Sequence, residues 1–209
     1  MLAMRQRMLT PSHLVSVDHL QPLRGISADG SGWLRIGALC THADVAASPL
    51  IRAQWPMLAS MASRVANPQV RHQGTLGGNL CYADPATDPP GCLLALDAQV
   101  VLTGTAGERV LPLADFLVDY YTTALEPDEL LTEIRVPPLA ADATGLYTRH
   151  LRTAAEHRPL ASVVACHLVG TVEWKQAALR LAVWAVAWMA GTGWLVRRQR
   201  TAIRREYRR

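Results

Sequence analysis

Two adjacent glycines, Gly77 and Gly78, form the stretch of this sequence best suited to holding a ligand. They lie between Thr75 and Asn79. Glycine loses much conformational freedom on folding, so two in a row mark a place where a Cβ would obstruct something. Consecutive glycine amides can turn to one side and bind a phosphate, while Thr75 and Asn79 offer neutral hydrogen-bonding groups. A tight turn between two strands explains the same glycines equally well.

The residues after the glycines narrow the chemistry. No Lys-Ser or Lys-Thr pair follows and no third spaced glycine is present, which excludes a P-loop and a dinucleotide fingerprint. Pro85 and the residues after Pro90 predict a nearby helix start, whose N-terminus would add positive partial charge. Asp84 and Asp88 are open to interpretation as paired carboxylates for acid–base chemistry. Asp84, directly before Pro85, is also typical of a turn.

The segments around the glycines resemble the FAD-binding subunit or domain of the molybdenum hydroxylases, the family of xanthine dehydrogenase and of the medium subunit of aerobic carbon monoxide dehydrogenase. The resemblance runs from about residue 4 to about residue 164. Its ordered matches are segments 36–39, 41–44, 67–79, 84–90, 93–98, 129–137 and 156–160. Function is then an inference about a site, because one fold can carry several functions.

The resemblance implies an α+β, two-lobed FAD-binding fold. Residues 1–55 would be a remnant of a small N-terminal lobe and residues 56–166 a larger antiparallel-sheet lobe. Residues 167–209 would be a divergent apolar helix with an arginine-rich tail. The implied cofactor is FAD, which passes electrons from iron–sulfur clusters to NAD or another acceptor. The iron–sulfur and molybdopterin centres are implied on partner subunits, and the flavin itself carries the reaction.

The resemblance also assigns residues to the cofactor, and none to acid–base catalysis or to a metal. It assigns the pyrophosphate to the glycine segment, the ribose to Asp88 and the flavin edge to two strand residues. It places the segment around residues 156–159 beside the isoalloxazine, and the 147–149 region is a further candidate. The predicted cofactor-binding residues are Thr75, Leu76, Gly77, Gly78, Asn79, Asp88, Leu130, Leu131 and Thr148.

One expected element is missing. In the family a first glycine-rich loop precedes this sequence, and nothing here matches it, so we expect a chain that is truncated or whose start is placed too late. About three charge-assisted hydrogen bonds would go with that loop, on the order of 5 kcal/mol. Weak or no FAD binding by the chain alone is therefore predicted.

Composition bounds the function further. The chain has 209 residues, half of them hydrophobic, enough for a substantial core. Its net charge is +4, but residues 197–209 hold seven arginines and one glutamate, which leaves −2 for the rest. Nucleic-acid binding is not favoured, because the basicity belongs to the tail. Four scattered cysteines without a CxxC pair and a start without a secretory signal predict a reducing, cytoplasmic location.

Local patterns predict most elements. Strands are expected at 13–18, 33–38, 129–136, 145–152 and 160–164, a hairpin at 98–113, and helices after Thr41, after Ser48, at 55–65 and at 114–121. The last helix would turn Phe116, Leu117 and Tyr120 inward. His42 is predicted to be a surface histidine rather than a ligand-facing one. Two alternatives stay open for Arg71 and His72. They face the phosphates of the cofactor or a partner subunit, or they lie on a solvated strand edge.

The sequence changes character after about residue 166. Four of the six tryptophans lie between Trp174 and Trp194, and residues 181–196 carry no charge. As a helix these 16 residues span about 24 Å, short of the ~30 Å hydrocarbon core. Three hypotheses stand: an out-of-frame tail, which we favour, a membrane-associating helix at 177–196, or a buried or partner-docking helix. The rival function is a non-enzymatic remnant or membrane-tethered module with a vestigial flavin site.

Overall fold

A five-stranded antiparallel sheet is the main framework of the protein. The computed structural model describes residues 4, 7, 10–140, 143–151, 161–168 and 180–184. The sheet order is β1-β2-β7-β3-β4. The described strands are β1 Ile26–Ala28, β2 Leu34–Gly37, β3 Gln99–Gly104, β4 Gly107–Pro112, β5 Leu117–Asp119, β6 Thr122–Thr123, β7 Leu130–Val136, β8 Ala143–His150, β9 Ala161–Leu168 and β10 Arg180–Trp184.

Short helices fill the sequence between β2 and β3. The described α-helices are α1 His42–Ala47, α2 Pro49–Gln54, α3 Pro56–Ser63, α4 Pro68–Gln73, α5 Leu76–Tyr82, α6 Asp88–Ala95 and α7 Leu113–Phe116. Four of them begin with proline in the first turn, where its fixed φ suits a helix and its missing N–H costs nothing.

Alternation along the central strands places the core on one face of this sheet. Leu34 and Ile36 on β2 are fully buried, and Arg35 between them is exposed. The same alternation on β7 buries Ile134 and Val136. Successive strand side chains point to opposite faces, so one face takes the helices and the other carries charge.

A second antiparallel sheet, of order β10-β9-β8, lies against the helices. Helix α3 packs against β8, and α6 packs against β9 and β10. Helices grouped on antiparallel sheets confirm the predicted α+β class. Strands β1 and β2 share a sheet with β3, β4 and β7, so residue 55 is not a boundary between sheets. The division into lobes stays a prediction.

The predicted start of α1 is confirmed in atomic detail. The Thr41 hydroxyl accepts a hydrogen bond from the Asp44 amide at 3.1 Å, and the Asp44 carboxylate accepts one from the Thr41 amide at 2.8 Å. This reciprocal capping box satisfies two amides that the helix itself leaves unpaired.

Replacing Thr41 with alanine should lower the free energy of unfolding by about 1 kcal/mol, since an N-cap hydroxyl contributes about that much. Chemical denaturation measures it. The control is Ser63→Ala, whose exposed hydroxyl donates only to the Ser60 carbonyl, at 2.7 Å. A change within ~0.5 kcal/mol is expected there. Equal effects of both substitutions would contradict the capping role.

Three local predictions are wrong. Residues 13–18 form no strand. Of the two alternatives for Arg71 and His72, the strand edge is wrong, because both lie on helix α4. Arg71 there donates to the Val65 and Ala66 carbonyls, and the phosphate or partner role stays a prediction. The predicted helix 114–121 ends at Phe116, after which β5 begins. Phe116 and Leu117 are buried as predicted, but Tyr120 is exposed.

The carboxyl-terminal prediction is testable over five residues. Arg180–Trp184 forms strand β10 and pairs with β9, so the predicted apolar helix is wrong there. The rest of 177–196 and the arginine-rich tail lie outside the described residues. Within the described part of the chain, no helix has the length and apolar character needed to cross a membrane.

Candidate functional site

The two glycines lie inside the first turn of helix α5, not in an open loop. Thr75 is the N-cap residue, and its hydroxyl accepts a hydrogen bond from the Gly78 amide at 3.1 Å. Leu76 and Gly77 are buried, whereas Gly78 is exposed and Asn79 half-buried. The helix begins directly after Thr75, as expected for a threonine at the N-cap position.

The amides of this turn are already occupied. The Leu76 amide donates to the Cys40 carbonyl at 2.9 Å, and the Gly77 amide donates to the Ala38 carbonyl at 3.0 Å. With Gly78 bonded to Thr75, three consecutive amides have acceptors within the chain. The expectation that glycine amides form an open cradle for an anion is therefore not met.

A side chain would meet different surroundings at each of the two glycines. A Cβ on Gly77 would lie 2.7 Å from the Ala38 Cβ and 2.8 Å from its carbonyl oxygen, so α5 packs directly on the end of β2. A Cβ on Gly78 would meet only the Thr75 hydroxyl, at 2.8 Å. Gly78 thus presents bare backbone at the surface. This fits a bulky cofactor that approaches the main chain closely, with hydrogen bonds from neighbouring side chains.

Asn79 is held by the segment that follows it. The Thr87 hydroxyl lies within hydrogen-bond distance of the Asn79 side-chain oxygen, at 3.2 Å, and of the Asp84 carbonyl, at 2.9 Å. Engagement of the amide oxygen leaves the Asn79 NH₂ group as the donor for a ligand.

Asp84 has a local structural task. Its side chain is buried, and it accepts a hydrogen bond from the Ala86 amide at 2.9 Å. This is the turn geometry that Asp before Pro favours. Asp88 has other partners, on the second sheet. The two carboxylates are therefore committed to different parts of the fold, which does not support a paired acid–base role.

The glycine turn and strand β7 are brought together through Ala38. Its amide donates to the Thr132 carbonyl at 2.9 Å, while its own carbonyl accepts from Gly77. Leu131, next to Thr132, is buried in the core. Leu130 is half exposed. The structure thus connects the glycine turn to β7 at Thr132, next to the buried Leu131, and leaves the Leu130 side chain half exposed at the start of the same strand.

Asp88 does not point freely to solvent. It is the first residue of α6, is 5% exposed, and bonds Arg149 at 3.2 Å and the Ser162 hydroxyl. Thr148 is exposed on β8, where alternation turns it away from Tyr147 and Arg149. The structure therefore does not bring Thr148 and Asp88 to one surface.

His42, predicted to lie on the surface, is only 2% exposed, so that prediction is wrong. Its amide donates to the Gly74 carbonyl at 3.1 Å, and its ring packs where a Gly74 Cβ would be, 3.3 Å from His42 Cδ2. Burial lowers the pKa of this imidazole to about 4. The available signal was the capped helix start, since buried Val45 follows three residues later on the same face.

Two further features were not predicted. Arg149 and Ser162 hold Asp88. The sequence assigns no role to Ser162, and it includes Arg149 only in the 147–149 region expected near the cofactor. Tyr82, at the end of α5, meets Tyr121 edge to face at 5.2 Å, with both rings about half exposed. Both features join residues far apart in the chain, which local patterns do not report.

Comparison with known proteins identifies the family of the chain. Residues 1–139 match the family described as FAD binding domain in molybdopterin dehydrogenase. The carbon monoxide dehydrogenase medium chain of Hydrogenophaga pseudoflava is 37% identical over 153 residues, covering 73% of this chain and 53% of that protein. Subunit alpha of the 6-hydroxypseudooxynicotine dehydrogenase complex of Paenarthrobacter nicotinovorans is 40% identical over 133 residues, covering 64% and 45%. The chain spans about half the length of these relatives.

Solved structures give the same result. The carbon monoxide dehydrogenase from Hydrogenophaga pseudoflava aligns with a TM-score of 0.76 and 36% identity, covering 79% of this chain and 57% of that one. Quinoline 2-oxidoreductase from Pseudomonas putida 86 aligns with a TM-score of 0.72 and 26% identity, covering 79% and 62%. The chain belongs to the family of FAD-binding domains of molybdopterin dehydrogenases, whose cofactor is FAD.

Proposed function

We propose that this chain is the FAD-binding, electron-transfer component of a cytoplasmic molybdenum-containing hydroxylase or dehydrogenase complex. The observation that carries the proposal is the exposed backbone of Gly78 beside the Asn79 amide, within a fold and sequence that match this family. When bound, the flavin supplies the redox chemistry. The chain's own residues bind and orient it.

The described residues divide that task. Gly78 offers close approach to the pyrophosphate, and Thr75 and Asn79 flank it with neutral polar groups. Leu130, half exposed at the start of β7, is available to the flavin edge, with Leu131 packed beneath the strand. Asp88 keeps only an indirect part on the ribose side, because both of its carboxylate oxygens have partners within the chain and its role is to fix the start of α6. Leu76 belongs to the first turn of α5. Thr148 lies on the face of β8 opposite Arg149 and is left outside the proposed site.

The partners follow from the relatives' printed names, which describe a medium chain and a complex subunit. We assign an iron–sulfur subunit as the electron donor and a molybdopterin subunit as the site of substrate oxidation. NAD or another acceptor would take the electrons from the flavin. This chain would therefore be an oxidoreductase subunit, and the substrate would be selected elsewhere in the complex.

A fluorescence titration of FAD with the purified chain tests the proposal. The expected result is saturable binding of one FAD per chain, weak enough for gel filtration to remove the flavin. Asn79→Ala should weaken binding about tenfold, because it removes a donor beside the pyrophosphate. Asn67→Ala, which removes only the N-cap of α4, is the matched control and should bind FAD as the wild type does. Of the two outcomes that the missing first loop allows, weak saturable binding supports the proposal, and absence of saturable binding contradicts it.

A further inference from the structure

The start of helix α6 is fixed by a buried ion pair with the second sheet. The Asp88 carboxylate accepts a hydrogen bond from Arg149 Nη1 at 3.2 Å and another from the Ser162 hydroxyl. The Asp88 and Arg149 side chains are only 4% and 8% exposed. Each carboxylate oxygen thus has its own partner, one on β8 and one on β9.

Arg149 reaches a third element with the same guanidinium. Its Nη1 also donates to the carbonyl of Arg64, the C-cap residue of α3. The Arg64 guanidinium lies 5.9 Å from the centre of the Tyr147 ring, beside the pair. Burial, and then the charge of Asp88, raise the pKa of the Tyr147 hydroxyl, so it adds no charge here. The Asp88–Arg149 ion pair therefore joins the ends of α3, α6, β8 and β9.

This junction is continuous with the residues assigned to the cofactor. Thr87 directly precedes Asp88, and its hydroxyl lies 3.2 Å from the Asn79 side-chain oxygen. A shift of the first turn of α6 therefore moves Thr87, whose hydroxyl lies within hydrogen-bond distance of both the Asn79 side-chain oxygen and the Asp84 carbonyl, and so changes a contact that orients the Asn79 amide. A buried carboxylate that loses its cation is strongly unfavourable, so the helix start would move to reach water.

We infer that Arg149 is a positioning residue for the FAD site, acting through Asp88 and Thr87 on the Asn79 amide. The inference rests on the proposed function. It assigns Arg149 no contact with the cofactor: its task is to keep Asp88 buried, charged and fixed. Ser162 has the same task at the second carboxylate oxygen, with a smaller effect because it carries no charge.

A double-mutant cycle separates this role from direct binding. FAD affinity is titrated for Arg149→Met, Asp88→Asn and the double variant, well below each thermal unfolding midpoint. We expect Arg149→Met to weaken FAD binding about tenfold. The double variant should bind FAD as well as whichever single variant has the lower affinity, because the two substitutions disrupt the same junction. Arg149→Lys should recover most of the affinity. Arg35→Met, which removes an ion pair with Glu133 on the charged face of the large sheet, should leave it unchanged.

Two outcomes would overturn the inference. Wild-type affinity in Arg149→Met would show that the pair does not position the site. Losses that multiply in the double variant would show that Arg149 contacts the ligand itself. If Arg149→Met does not fold, Ser162→Ala replaces it, with a loss of about threefold expected. Unchanged FAD affinity in Ser162→Ala would also overturn the inference.

Failure of the proposed function gives a different signature. If the wild type shows no saturable FAD binding, the function fails, and amide hydrogen exchange then tests the junction alone. Arg149→Met should speed exchange across residues 79–88, and it should do so less when Asp88→Asn is added. Unchanged exchange there would overturn the positioning role.

Discussion

Replacing Gly77 with alanine is expected to destabilise the fold by about 2 kcal/mol and to abolish measurable FAD binding. The new Cβ would lie 2.8 Å from the Ala38 carbonyl oxygen, a backbone atom that cannot turn aside. Helix α5 would move away from β2 and weaken the 3.0 Å hydrogen bond between the Gly77 amide and Ala38. Overpacking of this kind costs about 1–3 kcal/mol and loss of the hydrogen bond about 1 kcal/mol, while the better helix propensity of alanine offsets about 1 kcal/mol. Chemical denaturation and FAD titration measure the two effects.

The neighbouring glycine is the matched control. In Gly78→Ala the Cβ meets only the Thr75 hydroxyl, which can rotate away. Loss of that N-cap, about 1 kcal/mol, is balanced by the helix propensity of alanine, so stability should be almost unchanged. FAD binding should still weaken, because the bare backbone is covered. Similar unfolding free energies for the two variants would contradict the packing argument, and unchanged FAD affinity in Gly78→Ala would contradict the placement of the cofactor.

Acidification should destabilise the protein through His42. In the unfolded chain this imidazole protonates near pH 6.5, whereas burial lowers its folded pKa to about 4. The folded state therefore binds fewer protons between these values, and stability falls as the pH drops from about 6.5 to about 4. At about 1.4 kcal/mol per pH unit, the loss attributable to His42 is about 3 kcal/mol.

Urea denaturation at pH 7.5 and pH 4.5 of the wild type and of His42→Leu isolates this contribution. No residue that the structure describes bonds His42 Nδ1, so leucine removes the titration without breaking a hydrogen bond at that atom. The variant should lose less stability on acidification than the wild type. His72 is exposed on α4, and His72→Gln should lose as much stability on acidification as the wild type. Equal acid sensitivity of the wild type and His42→Leu would refute the buried, neutral state of His42.

Much of the fold follows from local sequence patterns. Alternating apolar residues predict β2 and β7, and Thr41 with Asp44 predicts the capping box that starts α1. Resemblance to the family predicts the FAD cofactor. The strand and helix-start predictions are confirmed because strand alternation and helix capping depend on residues within a few positions of one another.

The remaining features depend on distant contacts. The sequence shows adjacent glycines, but only the packing of Ala38 explains why their amides are occupied and why Gly77 has no room for a Cβ. Asp88 is 61 residues from Arg149, and nothing near either residue indicates the ion pair. The polarity of His42 favours a surface position, but His42 shares the buried face of α1 with Val45.

The most direct test of the account is a ¹⁵N-resolved NMR titration of the labelled chain with FAD. The account predicts that the largest amide shifts occur at Gly78 and Asn79, with smaller ones at Leu130, and that Thr148 and the charged sheet face around Arg35 are unaffected. Shifts confined to those other surfaces, or no shifts at saturating FAD, would contradict the assignment of the cofactor to the glycine turn of α5.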